Sequence, residues 1–133
     1  MAGILEDKLA QCGVALLTLE EALREEKTEM NRDATIQRFE YTAETFWKIL
    51  KAYLEEQEKV EAATPKRVIR EARHVGVLSE EDAEIGLQMI EDRNQSTHLY
   101  SEVTANEIYE RIPQYAVLIR RTVEWIRNTT RLE

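Results

Sequence analysis

Cysteine, histidine, glycine and proline are all scarce in this chain of 133 residues. Cys12 is the only cysteine, which excludes an intramolecular disulfide. With only His74 and His98 beside it, no zinc-ligand set appears at the usual spacing, and no metal is expected. Glycine and proline number four and two, where average usage would give about 16, so a loop-rich β sandwich is excluded and helix becomes the working assumption. The N-terminal residues, Met1 to Asp7, lack a basic stretch followed by an uninterrupted apolar run, and no segment is apolar enough to span a bilayer. A cytoplasmic chain is expected. Phosphate-loop, dinucleotide and Gly-x-Ser-x-Gly signatures are missing too, so no cofactor is expected.

What is present is charge. One third of the residues are charged and the formal net charge is −8, which opposes a broad nonspecific nucleic-acid footprint. The imbalance is uneven: residues 1–61 carry 8 basic and 14 acidic side chains, residues 62–133 carry 10 and 12. A polyanion site, if one exists, belongs to the second half.

The apolar spacing is helical. Leu5, Leu9, Cys12, Leu16, Leu19 and Leu23 form one stripe, and Ile36, Phe39, Ala43, Phe46, Leu50 and Tyr53 form a second, widened by Trp47 and Leu54. The polar stretch between them offers Asn31 or Asp33 as cap of the second helix. Thr64-Pro65 opens a short helix over about 65–75 that Gly76 ends, and Ser79 caps a fourth helix reaching about Gln95. Thr104-Ala105-Asn106-Glu107 resembles a capping box for the last helix, along which Ile108, Ile112, Tyr115, Ile119 and Ile126 recur, with Pro113 bending it. The expected fold is all-α: one domain over 1–133, an antiparallel up-and-down four-helix bundle with a short extra connecting helix. The flanking aromatics Trp47 and Tyr53 exceed what a narrow seam needs, so a homodimer is expected.

The informative stretch is Asp92 to Tyr100. Upstream, Ala83, Leu87 and Ile90 form an apolar line whose next position is Asn94, so a core stripe turns polar, as happens at capped ends, interfaces and sites. On an unbroken helix Arg93 and His98 would stand about 140° apart; for both to act on one group the helix must break near Ser96, or the two must meet across a dimer. Two readings stay open: Asn94 and Ser96 cap a helix end while His98 packs, or the segment is a site. Lys66, Arg67, Arg70 and Arg73 form the densest basic group, either a solvated face paired with carboxylates or a face for nucleotide or RNA phosphates. The acidic pairs Glu80-Glu81 and Glu91-Asp92 read as helix-start or helical-surface residues without a phosphate-holding Gly-Ser loop, so the chain alone is expected to lack nucleotidyl transfer.

Arg93-x4-His98-x-Tyr100 resembles the signature of HEPT-type proteins, small helical partners of minimal nucleotidyltransferases. Gln37 to Tyr41, Trp47-Lys48, Lys51, Tyr53-Leu54, Pro65-Lys66-Arg67, Ala72, Gly76, Arg93-Asn94, His98, Tyr100 and Ile108 to Ile112 are similar to the pattern of the nucleotidyltransferase substrate-binding branch, over about residues 31–115. The resemblance implies an up-and-down bundle, usually dimeric, like the C-terminal helical domain of kanamycin nucleotidyltransferase. It implies a separate catalytic subunit whose substrate cleft this chain completes; the candidate substrate contacts read from the residues themselves are Asn94, Lys66, Arg67, Arg70 and Arg73. It also implies a second role, a metal-independent ribonuclease toxin in which Arg93 and His98 are catalytic and the partner silences the toxin by adding AMP to Tyr100. Imidazole titrates near neutral pH and guanidinium offsets phosphate charge, so that chemistry needs no metal. A dimer without a surviving site is the third reading. One departure is Gly86, near which relatives carry Trp.

Overall fold

The computed structural model describes residues 3–96 and 101–130. The described residues form five helices and no strand: α1 (Ile4–Arg24), α2 (Glu29–Gln57), α3 (Pro65–His74), α4 (Glu80–Ser96) and α5 (Glu102–Thr130). This is the expected all-helical bundle, with α3 as the short connector. At 29 residues each, α2 and α5 are about 43 Å long.

Local signals set most of the boundaries. Thr64 Oγ1 accepts the Arg67 amide, Pro65 occupies the first turn of α3, and Gly76 adopts φ 89° just past its end, a left-handed conformation that costs glycine nothing. Ser79 Oγ accepts the Asp82 amide at 3.0 Å, capping α4. Two caps differ from expectation. α2 is capped by Thr28, whose hydroxyl accepts the Asn31 amide at 3.1 Å, while the Asn31 side chain reaches back to the Glu26 carbonyl. α5 starts before the Thr104 box, because Ser101 Oγ takes the Thr104 amide at 3.1 Å. In both places the earlier hydroxyl reaches the free amides first. Helix α5 continues through Pro113, whose missing N–H breaks one backbone bond without ending the apolar stripe.

α2 is the central element, packing on all four other helices, while α1 lies against α2 and α5, and α4 against α2, α3 and α5. Leu5, Leu9, Cys12, Leu16 and Leu19 of α1 interlock with Ile36, Phe39, Phe46, Ile49 and Leu50 of α2 and with Ile108, Ile112, Ile119 and Ile126 of α5 in one buried cluster. Each such large apolar side chain contributes about 1.5–3 kcal/mol by leaving water. Phe39 stacks on Tyr115 with centroids 5.5 Å apart. Tyr53 is buried edge-on against Trp125, and Trp47 is half-buried against the same core. These aromatics are therefore engaged within one chain.

α3 lies close against α4. A Cβ added to Gly86 would stand 3.3 Å from two carbons of Ile69, so the space an indole would need is filled by α3. The core line of α4 is also rotated from the expected one: Ala83, Gly86, Met89 and Ile90 are buried, Leu87 is half-buried, and Asn94 is exposed. Three helices flank α4, and their combined footprint decides which side chains leave water.

Candidate functional site

Polar side chains collect where the last two turns of α4 meet α2 and α5. The rotation of α4 points Asp92 toward α5, and Asp92 is only 2% exposed, which corrects its reading as a surface residue. Its carboxylate accepts from Arg111 Nε at 2.7 Å and a terminal Arg111 nitrogen at 2.8 Å, from the Tyr115 hydroxyl at 2.5 Å and from Gln88 Nε2 at 3.2 Å. A charge so enclosed is tolerable only because it is paired and richly supplied with donors. Burial, reinforced by Asp92, pushes the Tyr115 phenol well above its ordinary pKa, and the bond to Asp92 pushes the Arg111 guanidinium up.

The neighbouring Arg93 points the other way, to α2. Its terminal nitrogen lies 2.9 Å from Glu44 Oε2, and the same oxygen accepts the Trp47 indole N–H at 3.0 Å. Lys48 reaches the other carboxylate oxygen at 3.4 Å. Burial alone would raise the Glu44 pKa, but the indole N–H, Arg93 and Lys48 together hold it below the usual value. Arg93 Nε is buried with no hydrogen-bond partner among the described residues. A buried guanidinium donor left open is uncommon and calls for an acceptor.

α4 ends at Ser96, whose hydroxyl lies 2.9 Å from both Glu40 Oε2 on α2 and the Arg93 carbonyl. α5 then begins at Glu102, clamped by Arg32 of α2 through contacts of 2.7 and 3.2 Å. Arg32 is 5% exposed and is also paired with Asp33; Glu102 and then Asp33 raise its pKa. The chain on either side of 97–100 is thus tied to α2. His98 and Tyr100 lie outside the described residues. Asn94 is on the exposed side of the last α4 turn.

The basic group on α3 is elsewhere, along a groove against α4 of about 440 Å³ lined in part by Arg67, Arg70, Arg73, Glu80, Glu84 and Leu87. Lys66 pairs with Glu91, Arg67 with Glu71 at 3.4 Å and Arg73 with Glu80 at 3.7 Å. Arg70 makes no ion pair among the described residues and is exposed. A phosphate entering this groove must compete with the paired carboxylates of Glu71 and Glu80, while the Lys66–Glu91 pair lies outside its lining. No group of three or more potential metal ligands occurs among the described residues, and no described helix is long and apolar enough to cross a membrane.

Sequence reasoning found Arg93 but missed the groups that hold it. Glu44 precedes Trp47 by three residues and Lys48 by four, one helix face, and that spacing was the available signal. Asp92, Tyr115 and Arg32 carried none for their polar contacts, because only tertiary packing reveals which polar residue on a mixed face is buried.

A family model described as nucleotidyltransferase substrate binding protein like matches residues 7–127. A crystal structure of a protein from Thermus thermophilus superposes with TM-score 0.84 at 47% identity, covering 87% of this chain and 98% of that one. No curated protein matches the chain.

Proposed function

The chain belongs to the nucleotidyltransferase substrate binding protein like family, and from that premise we propose that it is the helical subunit that pairs with a separate minimal nucleotidyltransferase and completes its substrate cleft. The observation that carries the proposal is Arg93: a cation fixed by Glu44 at the α2–α4 seam with its side chain still 32% exposed, suited to receive a phosphate oxygen of the nucleotide or of its acceptor. Asn94 on the same turn is a further substrate contact in this reading. Lys66, Arg67, Arg70 and Arg73 supply a second, weaker phosphate-facing surface. The working form is a cytoplasmic homodimer bound to the partner, with the partner contributing the metal-binding carboxylates of the transfer reaction.

The test is reconstitution. The purified chain, the small nucleotidyltransferase and their mixture are each given labelled ATP with candidate acceptors. Transfer by the mixture, none by this chain alone, and loss with Arg93→Ala support the proposal; transfer by the partner at the same rate without this chain defeats it.

A second reading is the ribonuclease toxin, supported by the Arg93-x4-His98-x-Tyr100 spacing. There Arg93 offsets phosphate charge, His98 transfers protons and AMP on Tyr100 repels RNA. Cleavage of RNA in chelator, abolished by Arg93→Ala and by His98→Ala and suppressed when the partner and ATP add AMP to Tyr100, selects this reading; intact RNA rejects it.

A further inference from the structure

Arg93 does not reach its position by packing alone. A long, flexible side chain at the end of a helix is held by one carboxylate oxygen, Glu44 Oε2, which also receives the Trp47 indole N–H. The indole fixes the carboxylate, being half-buried against the core and unable to move far, and the carboxylate fixes the guanidinium. The second oxygen faces Lys48 at 3.4 Å, so two cations that would repel each other are brought to one anion. Glu44 occupies a terminal nitrogen of Arg93, whose side chain stays 32% exposed, while Nε is buried and without a partner among the described residues.

We infer that Glu44 is a positioning residue: held by Trp47, it sets the Arg93 guanidinium so that its solvent-exposed part, with Lys48 alongside, receives a phosphate group. The inference rests on the reading that Arg93 meets phosphate, and it adds the groups that make Arg93 competent to do so. The ligand chemistry is a phosphate oxygen, whether of a free nucleotide or of an RNA strand. Other acidic side chains bear on the same corner. Glu40 on α2 is engaged by Ser96, and the Asp92 charge is answered from α5 by Arg111, so neither replaces Glu44 as the anchor.

The sign of one experiment separates positioning from simple electrostatics. Glu44 carries negative charge beside the proposed anion site, so by Coulomb attraction and repulsion alone its removal should tighten phosphate binding. Positioning demands the reverse. Binding of metal-free ATP, and separately of a short single-stranded RNA, is measured by calorimetry and fluorescence anisotropy for the parent, Arg93→Ala, Glu44→Ala, Glu44→Gln and Trp47→Phe, with thermal unfolding followed for each. The expected result is about tenfold or greater loss for Arg93→Ala and Glu44→Ala, partial loss for Trp47→Phe, and recovery toward the parent in Glu44→Gln. The amide oxygen of glutamine can take the place of Oε2 and still accept from both Trp47 and Arg93, although it no longer attracts Lys48. Whichever probe binds identifies the source of the phosphate. If Arg93→Ala loses binding while folded Glu44→Ala or Trp47→Phe binds as well as the parent or more tightly, the positioning role is overturned and the phosphate reading stands. If Arg93→Ala binds like the parent, or the parent binds neither probe, the phosphate reading fails and takes this inference with it.

Discussion

Replacing Tyr115 by Phe removes one oxygen and leaves the rest of the core in place. The ring is fully buried and stacked on Phe39, and that contact survives the change. What disappears is a 2.5 Å hydrogen bond to Asp92, and Asp92 is too deeply enclosed for water to take the donor's place. A hydrogen bond to a charged group contributes about 1.5–3 kcal/mol, so about 2 kcal/mol of destabilisation is expected. An unfolding entropy of about 2.1 cal/mol/K per residue over this length gives about 0.28 kcal/mol/K, and the midpoint should fall by about 7 °C. Differential scanning calorimetry reads it directly. In an Asp92→Asn background the acceptor is neutral, and the same Tyr115→Phe change should cost about 1 kcal/mol. A midpoint drop under about 2 °C in the parent background, or an equal drop in both backgrounds, would refute the claim that the buried Asp92 carboxylate depends on this hydroxyl.

Three further outcomes follow from the same structure. Arg32→Ala releases Glu102 at the start of α5, so amide exchange at residues 102–106 should accelerate while the Phe39 and Phe46 amides stay protected; uniform acceleration would contradict a local clamp. Burial raises the Cys12 thiol pKa from 9.0 to about 11. Because the folded value lies above the unfolded one, its contribution to stability is complete below pH 9 and is lost as pH rises toward 11 and beyond. Thiol-specific labelling at about pH 8, below both values, should therefore await unfolding, Cys12→Ala should flatten the alkaline decline, and rapid labelling of the folded chain would contradict the burial. Gly86→Ala should change stability by less than about 1 kcal/mol, since gained helix propensity offsets the displacement of Ile69, whereas Gly86→Trp should expel α3 from α4 and lower the midpoint steeply; a Trp variant as stable as the parent would show that the α3–α4 contact yields freely.

The helices were legible because apolar side chains recurring every three or four residues leave few alternatives: the stripes through Leu5 to Leu19 and Ile36 to Tyr53 are buried as their spacing requires. Thr64-Pro65 and Gly76 marked α3 because each has a backbone role few other residues fill. The caps at Thr28 and Ser101 were not resolved, since several hydroxyl and amide side chains compete within each short linker and small differences in reach decide. Asp92 was misplaced for a different reason. On α4 both the Leu87 line and the Met89 line are credible core faces, and the choice is made by where α2, α3 and α5 happen to lie. Arg93 was visible as part of a spaced motif, but its partner Glu44 stands far back on α2, a separation that no local pattern spans.

The central claim is that this chain works as the substrate-binding partner of a separate nucleotidyltransferase. Its most direct test is to co-express the chain with a small nucleotidyltransferase of the same genome, one carrying a Gly-Ser motif and paired acidic residues, and to determine the mass of the purified material by light scattering. A stable complex containing a dimer of this chain, which transfers label from ATP only when both proteins are present, is the predicted result. Two proteins that elute separately, with transfer activity in the partner alone, would contradict the account.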